Sequence, residues 1–255
     1  MTPPPRRKFK YIGCTILYRE ACYLAATTPN LVDVEFLPKG LHSLETPDMV
    51  ARLQQAVDAV PDDAGYEAIL LGYARCNDGL VGVAARRLPL VIPRAHDCIT
   101  LLFGSRGAYQ EYFDARPGTY YMSTGWMERN DEIDPLAAEQ GRRTVSDRMG
   151  LQYDYDELVA KYGKENADYV AATLSDGRHN YDAYLYLSMG VSAEADYVEQ
   201  TREEAGKRNW RFELRRGDLG LLRKLFDGEW DDDFVIVRPG ERIVARNDER
   251  VLDAE

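Results

Sequence analysis

The stretch from Leu88 to Ser105, LPLVIPRAHDCITLLFGS, constrains the chain more than any other. Leu88 to Ile92 is a short apolar run with β-branched residues, the pattern of a buried strand. Pro93 closes it, because proline brings no backbone N–H to a sheet ladder. His96, Asp97 and Cys98 follow, and then an apolar run to Phe103 that breaks at Gly104-Ser105. The sequence thus places His96 and Cys98 where a strand hands over to a helix. In open α/β sheets that is the edge where ligands bind, beyond the carboxyl ends of the strands.

The same handover recurs upstream. Phe9 to Leu17 reads as a strand with Cys14 near its end, followed by a helix over Tyr18 to Ala26. Val32 to Leu37 reads as a strand that delivers His42 just beyond Pro38-Lys39-Gly40. Thr46 and Pro47 then open a helix whose apolar stripe is Met49, Leu53, Ala56, Val57 and Val60. Tyr66 to Gly72 reads as a strand running into Arg75, Cys76, Asn77 and Asp78, with a short helix expected over Leu80 to Ala85. Strand and helix in alternation predict a doubly wound, mainly parallel sheet. Parallel strands would bring Cys14, His42, Cys76, His96 and Cys98 to one rim.

Past Ser105, which is placed to cap a helix from Gly107 to Ala115, Gly118 to Trp126 reads as an aromatic strand. Residues 127–147 are polar, and Tyr153 to Leu174 has the pattern of an amphipathic helix. Tyr184 to Met189, Trp210 to Leu214 and Phe234 to Val237 read as strands, with helices over Ala193 to Arg208 and Leu219 to Phe226. The outline of the first third returns, so the expected fold is α/β, two Rossmann-like halves with mainly parallel sheets and a cleft between them. The expected divisions are an N-terminal half over 9–126, a helical connector over 127–182 and a C-terminal half over 183–245. The charged tail after Ala245 is expected to be loose.

Charge narrows the partners. The 255 residues carry 32 Lys+Arg against 43 Asp+Glu, a formal net charge of -11. Nucleic acid and anionic membranes select a basic face, so neither is the expected partner. No stretch approaches the roughly 20 apolar residues of a membrane span, and the basic start MTPPPRRKFK lacks the apolar core of a secretory signal. The expectation is a cytoplasmic protein acting on a small molecule. There the four cysteines, Cys14, Cys22, Cys76 and Cys98, are not expected to form disulfides.

Cys14, Cys76, His96 and Cys98 make a Cys3His set, which suits zinc and tolerates iron. A closed set would be structural, and a catalytic one keeps a position open. The alternative is that Cys14 and Cys76 are core cysteines and His96 bonds locally at a helix start. Cys22 reads as helix packing. His42 and Glu20 are the candidate acid–base groups. Arg75 and Arg94 are candidates to hold a carboxylate or phosphate, and Ser105 to hold an anion at a helix N-terminus. Tyr120, Tyr121 and Trp126 would line the cleft wall or fill an aromatic core.

His-x-Cys with a distant cysteine resembles the ligand set of zinc enzymes that activate thiols for methyl transfer. More broadly the chain resembles, from Tyr11 to Ala245, a bacterial and archaeal family catalogued as domain of unknown function sixteen thirty-eight. GCTILYRE, the Gly40–His42 GLH, GYARCNDGL, PRAHDCITLLFGS and PGTYYMSTGW carry that resemblance. Its genes are often found beside those of corrinoid methyltransferases, which implies one-carbon metabolism as the setting. Two expectations follow: a metal-dependent enzyme acting on a one-carbon or methylated substrate, or a non-catalytic protein carrying a metal, corrinoid or ligand for a methyltransferase partner.

Overall fold

The computed structural model describes residues 6–129 apart from Asn77, then 159–160, 163–164, 166–167 and 181–255. It is an α/β fold with mixed, mainly parallel sheets. The main sheet contains β1 (Lys8–Cys14), β2 (Leu31–Leu37), β3 (Ala68–Gly72), β4 (Leu90–Pro93) and β8 (Phe234–Val237), in the order β2-β1-β3-β4-β8. Its first four strands are parallel, and β8 closes the edge antiparallel to β4. A second sheet, β5 (Thr119–Ser123), β6 (Ala183–Ser188) and β7 (Arg211–Arg216), is wholly parallel.

The helices follow the apolar patterning. α1 (Tyr18–Thr27) and α7 (Gly220–Asp227) cover one face of the main sheet, where Leu24, Leu222, Leu225 and Phe226 pack with Phe9, Tyr11 and Leu70. On the other face, α2 (Thr46–Asp58) sets Met49, Leu53 and Val57 against Ile12, Ile69 and Leu71. α3 (Cys98–Phe103) and α4 (Arg106–Ala115) lie between the sheets: Leu101, Leu102, Phe103 and Tyr112 share one core with Leu185 and Leu187 of β6. α5 (Thr124–Glu128) follows β5, and α6 (Ala195–Arg208) links β6 to β7.

Two expectations give way here, and strand pairing reaches across the chain, since β5 pairs with β6 and β8 pairs with β4. An aromatic strand and a short apolar strand carry no local mark of which sheet they will join. Where a helix is expected over Leu80 to Ala85, residues 80–82 form turns, with Gly82 at φ 97, outside the helical region. Nor is the tail after Ala245 loose. β9 (Ile243–Ala245) pairs antiparallel with β10 (Leu252–Ala254), and Ile243, Val251 and Leu252 enter the α2 side of the core. In the sequence the apolar pair Val251-Leu252 is set among charged residues that mask it. The helix expected over Tyr153 to Leu174, and most of the connector, lie largely outside the described residues.

The tail's contribution is measurable. Leu252 is 0% exposed, so Leu252→Ala should cost about 2–5 kcal/mol in urea unfolding. A change within about 0.5 kcal/mol, typical of a surface position, would show that the tail is not part of the core.

Candidate functional site

Three neighbouring parallel strands, β1, β3 and β4, end at one edge of the main sheet and deliver the cysteines there. Cys14 is the last residue of β1. Beyond β3 and β4 the ladder continues through loop backbone, with Arg75 N donating to Ala95 O at 2.9 Å and Cys76 N to His96 O at 3.1 Å. That pairing ties the Cys76 loop to the segment that opens α3 at Cys98. Asp97 caps α3: its Oδ1 accepts from Thr100 N at 2.9 Å and Thr100 Oγ1 at 3.0 Å. Its Oδ2 accepts from the Tyr109 hydroxyl at 3.1 Å.

These groups share one electrostatic neighbourhood. Burial pushes the Cys76 thiol up to about 12, with the charges of Asp97 and Cys14 adding to it. Burial also raises Cys98 well above the usual thiol range, aided by Cys76, Asp97 and Cys14 and opposed by the Trp126 indole. His42 is pushed down, chiefly by burial and then by Lys39, while Asp97 opposes the shift. The rim therefore holds neutral thiols and a neutral imidazole. His96 contributes its backbone carbonyl, and its side chain is exposed. Among the described residues, no three His, Cys, Asp or Glu side chains form an assembled metal-ligand group.

The second sheet meets this rim. A Cβ on Gly125 would lie 1.7 Å from Ile16 O, so the start of α5 touches the turn that follows β1. Trp126 is thereby brought beside Cys98, with its indole N–H toward the thiol, and Lys39 Nζ stands 5.1 Å from the centre of the Trp126 ring. Glu20, on α1, is only 1% exposed, and its Oε2 has no hydrogen-bond partner. Burial raises its carboxyl to about 7; Glu194 and Glu128 add to this, while its own backbone N–H and Arg19 oppose it. Arg19 itself holds Glu128, with its Nη2 at 2.7 Å from Oε1 and its Nε at 3.0 Å from Oε2. Glu194 accepts from Ser188 and, at 3.4 Å, from Thr124, whose hydroxyl lies 2.9 Å from that of Tyr186.

The other candidates are placed differently. Arg75 pairs with Asp78 at 2.5 Å and donates to Arg246 O at 3.0 Å. Arg94 donates to Arg250 O and Leu252 O and lies 3.8 Å from Asp253. Both arginines anchor the tail. Ser105 caps α4, accepting from Ala108 N at 3.1 Å. Tyr121 packs edge-on among Phe103, Tyr109 and Tyr112, while Tyr120 packs on Tyr181 and Tyr184. Cys22 is half-buried on α1. Asp97, Lys39 and Glu194 join the site without having been singled out from sequence. For Asp97 the signal was present, an Asp three residues before Thr100 at a helix start. Lys39 and Glu194 carry no local mark.

A family model described as "Protein of unknown function (DUF1638)" matches residues 36–226 of the 255. The chain belongs to this family. The match takes in His42, Cys76, His96, Cys98 and Trp126, and ends within α7. No curated protein and no solved structure matches the chain. Among the described residues no helix is long and apolar enough to cross a membrane.

Glu20 gives this site a pH signature. Its carboxyl titrates near 7 when folded against an ordinary 4.5, so the folded state holds the proton more tightly. The resulting stability is full below about pH 4.5 and is lost as pH rises through about 7, on the order of 3 kcal/mol in all. Glu20→Gln, which cannot ionise, should therefore lose less stability than the natural chain between pH 5 and pH 8. Parallel unfolding curves at both pH values would contradict the raised carboxyl.

Proposed function

We propose that the rim is the active site of a metal-dependent enzyme that acts on a small substrate in methyl-group or one-carbon metabolism. The observation that carries this reading is the delivery of three cysteines from three parallel strand ends into one neighbourhood, where Cys14 opposes ionisation of Cys76, and both oppose that of Cys98. Half-buried thiols placed so are difficult to ionise alone, and a bound cation reverses that by favouring the thiolate. Cys14, Cys76 and Cys98 supply three soft donors suited to zinc, with iron tolerated, and leave a fourth position for substrate or water. The side chains do not stand as an assembled ligand group, so binding would draw them together. His96, exposed beside Cys98, is the residue to complete a closed set.

When bound, the metal would supply Lewis acidity or thiol activation. The chain's own groups would do the rest. Asp97, fixed by Thr100 and Tyr109, sets the position of Cys98 at the head of α3. His42, kept neutral, is able to accept a proton, and Glu20, with a carboxyl near 7, is able to give or take one at neutral pH. The wall from the second sheet, Trp126 above all, would exclude water over the thiols, completing a cleft between two Rossmann-like units. The small substrate could reach this rim alone or on a corrinoid protein partner.

Elemental analysis of purified variants tests the metal directly. Cys76→Ala and Cys98→Ala should each lose most of the bound zinc or iron, while Cys22→Ala, on the face of α1, keeps it. Equal metal in all three variants, or none in the natural chain after zinc loading, would overturn the reading.

A further inference from the structure

A second feature lies apart from the thiols. At the carboxyl ends of β6 and β7 a cleft of about 540 Å³ is lined by Phe103, Met189, Arg215, Arg216, Asp218 and Leu219, among others. That volume lies in the range of small-molecule sites, roughly 300–1,000 Å³. We propose that it binds a small organic acid, with the oxyanion held by Arg215 and Arg216 and the apolar body laid on Phe103, Met189 and Leu219.

The arginines carry the first half. Elsewhere the described arginines mostly face carboxylates or carbonyls, as Arg19, Arg75 and Arg94 do. Among the described residues, neither Arg215 nor Arg216 makes an ion pair. Arg215 instead stacks its guanidinium over the rings of Phe103 and Tyr112, at 5.0 and 5.3 Å. Stacking fixes the plane of the guanidinium and leaves its N–H edge for a planar oxyanion, which it can grip with two bonds. The nearby carboxylates are engaged elsewhere: Glu213 accepts from the Tyr112 hydroxyl at 3.0 Å and faces Arg116 at 3.6 Å. Asp218, within the lining, accepts from Gly220 N at 2.6 Å at the start of α7.

The second half rests on how the backbone shapes the cleft. A Cβ on Gly217 would meet Met189 Sδ at 2.2 Å and Leu102 O at 2.8 Å. The loop after β7 is thus pressed against α3, and its Asp218 N donates to Leu102 O at 2.9 Å. Phe103 and Met189 are held as a fixed apolar wall beside Arg215, and Arg216, the next residue of β7, adds its charge at the exposed edge of the cleft. A cation with no ion-pair partner over an apolar wall favours a ligand with both characters over a bare inorganic anion.

Calorimetric titration of the full chain with octanoate, 1-octanol and inorganic phosphate decides the matter. Octanoate should bind saturably, and Arg215→Gln and Arg216→Gln should each weaken it on the order of 10-fold. Arg216 is exposed, so its variant tests the charge even where Arg215→Gln disturbs packing. Octanoate binding that persists unchanged in Arg216→Gln would overturn the assignment. So would 1-octanol binding as tightly as octanoate, phosphate binding as tightly as octanoate, or no saturable octanoate binding to the natural chain.

Discussion

The close approach of Gly125 to the carbonyl of Ile16 fixes much else in this molecule. At 1.7 Å from Ile16 O to an added Cβ, no other residue fits without parting the backbones. Through this contact the turn leaving β5 is seated on the turn leaving β1, so the carboxyl ends of strands in two different sheets meet. Trp126 comes to Cys98 because of it. The apolar core reinforces the arrangement, since Leu185 and Leu187 of the small sheet pack in the same cluster as Phe9 and Leu70 of the large one. Shared burial joins the sheets, and polar contacts such as Arg19–Glu128 and Tyr112–Glu213 add to it.

What gathers at the meeting place is a set of titratable groups held in their neutral forms by burial. Cys76 and Cys98 are kept as thiols, His42 as imidazole, and Glu20 titrates near neutrality. Desolvation leads in every case. Such a set is costly in a merely structural setting, because the charged forms are disfavoured and the polar atoms still need partners. Unpartnered buried atoms do occur here, among them Glu20 Oε2 and the hydroxyl of Tyr73. Buried titratable groups with unmet polar atoms are what a functional site characteristically holds.

Much of the strand pattern was legible. The run ending at Phe234–Val237, the handover at His96–Cys98 and the cap at Ser105 all follow from local chemistry that the fold leaves intact. The rim itself was legible because parallel neighbours must end on one side. Partners distant in sequence were not. Arg75 and Arg94 look like anion binders next to their cysteines, yet, apart from Asp78 beside Arg75, the carbonyls and carboxylates they meet lie about 150 residues or more further along, at Arg246, Arg250 and Asp253. Sheet membership of β5 and β8 was hidden for the same reason, being settled by pairing and not by propensity. The small and apolar residues from Leu80 to Ala85 allow a helix that the positive φ of Gly82 breaks.

The central claim is that Cys14, Cys76 and Cys98 act together as donors to one cation. Zinc-edge X-ray absorption on the zinc-loaded full chain measures that directly, because Zn–S bonds of about 2.3 Å separate cleanly from Zn–N and Zn–O bonds of about 2.0–2.2 Å. Three sulfur neighbours at the longer distance, with one lighter atom, is the result expected of a thiolate trio with an open position. A shell made only of oxygen and nitrogen would place the ion elsewhere and return the three cysteines to the core.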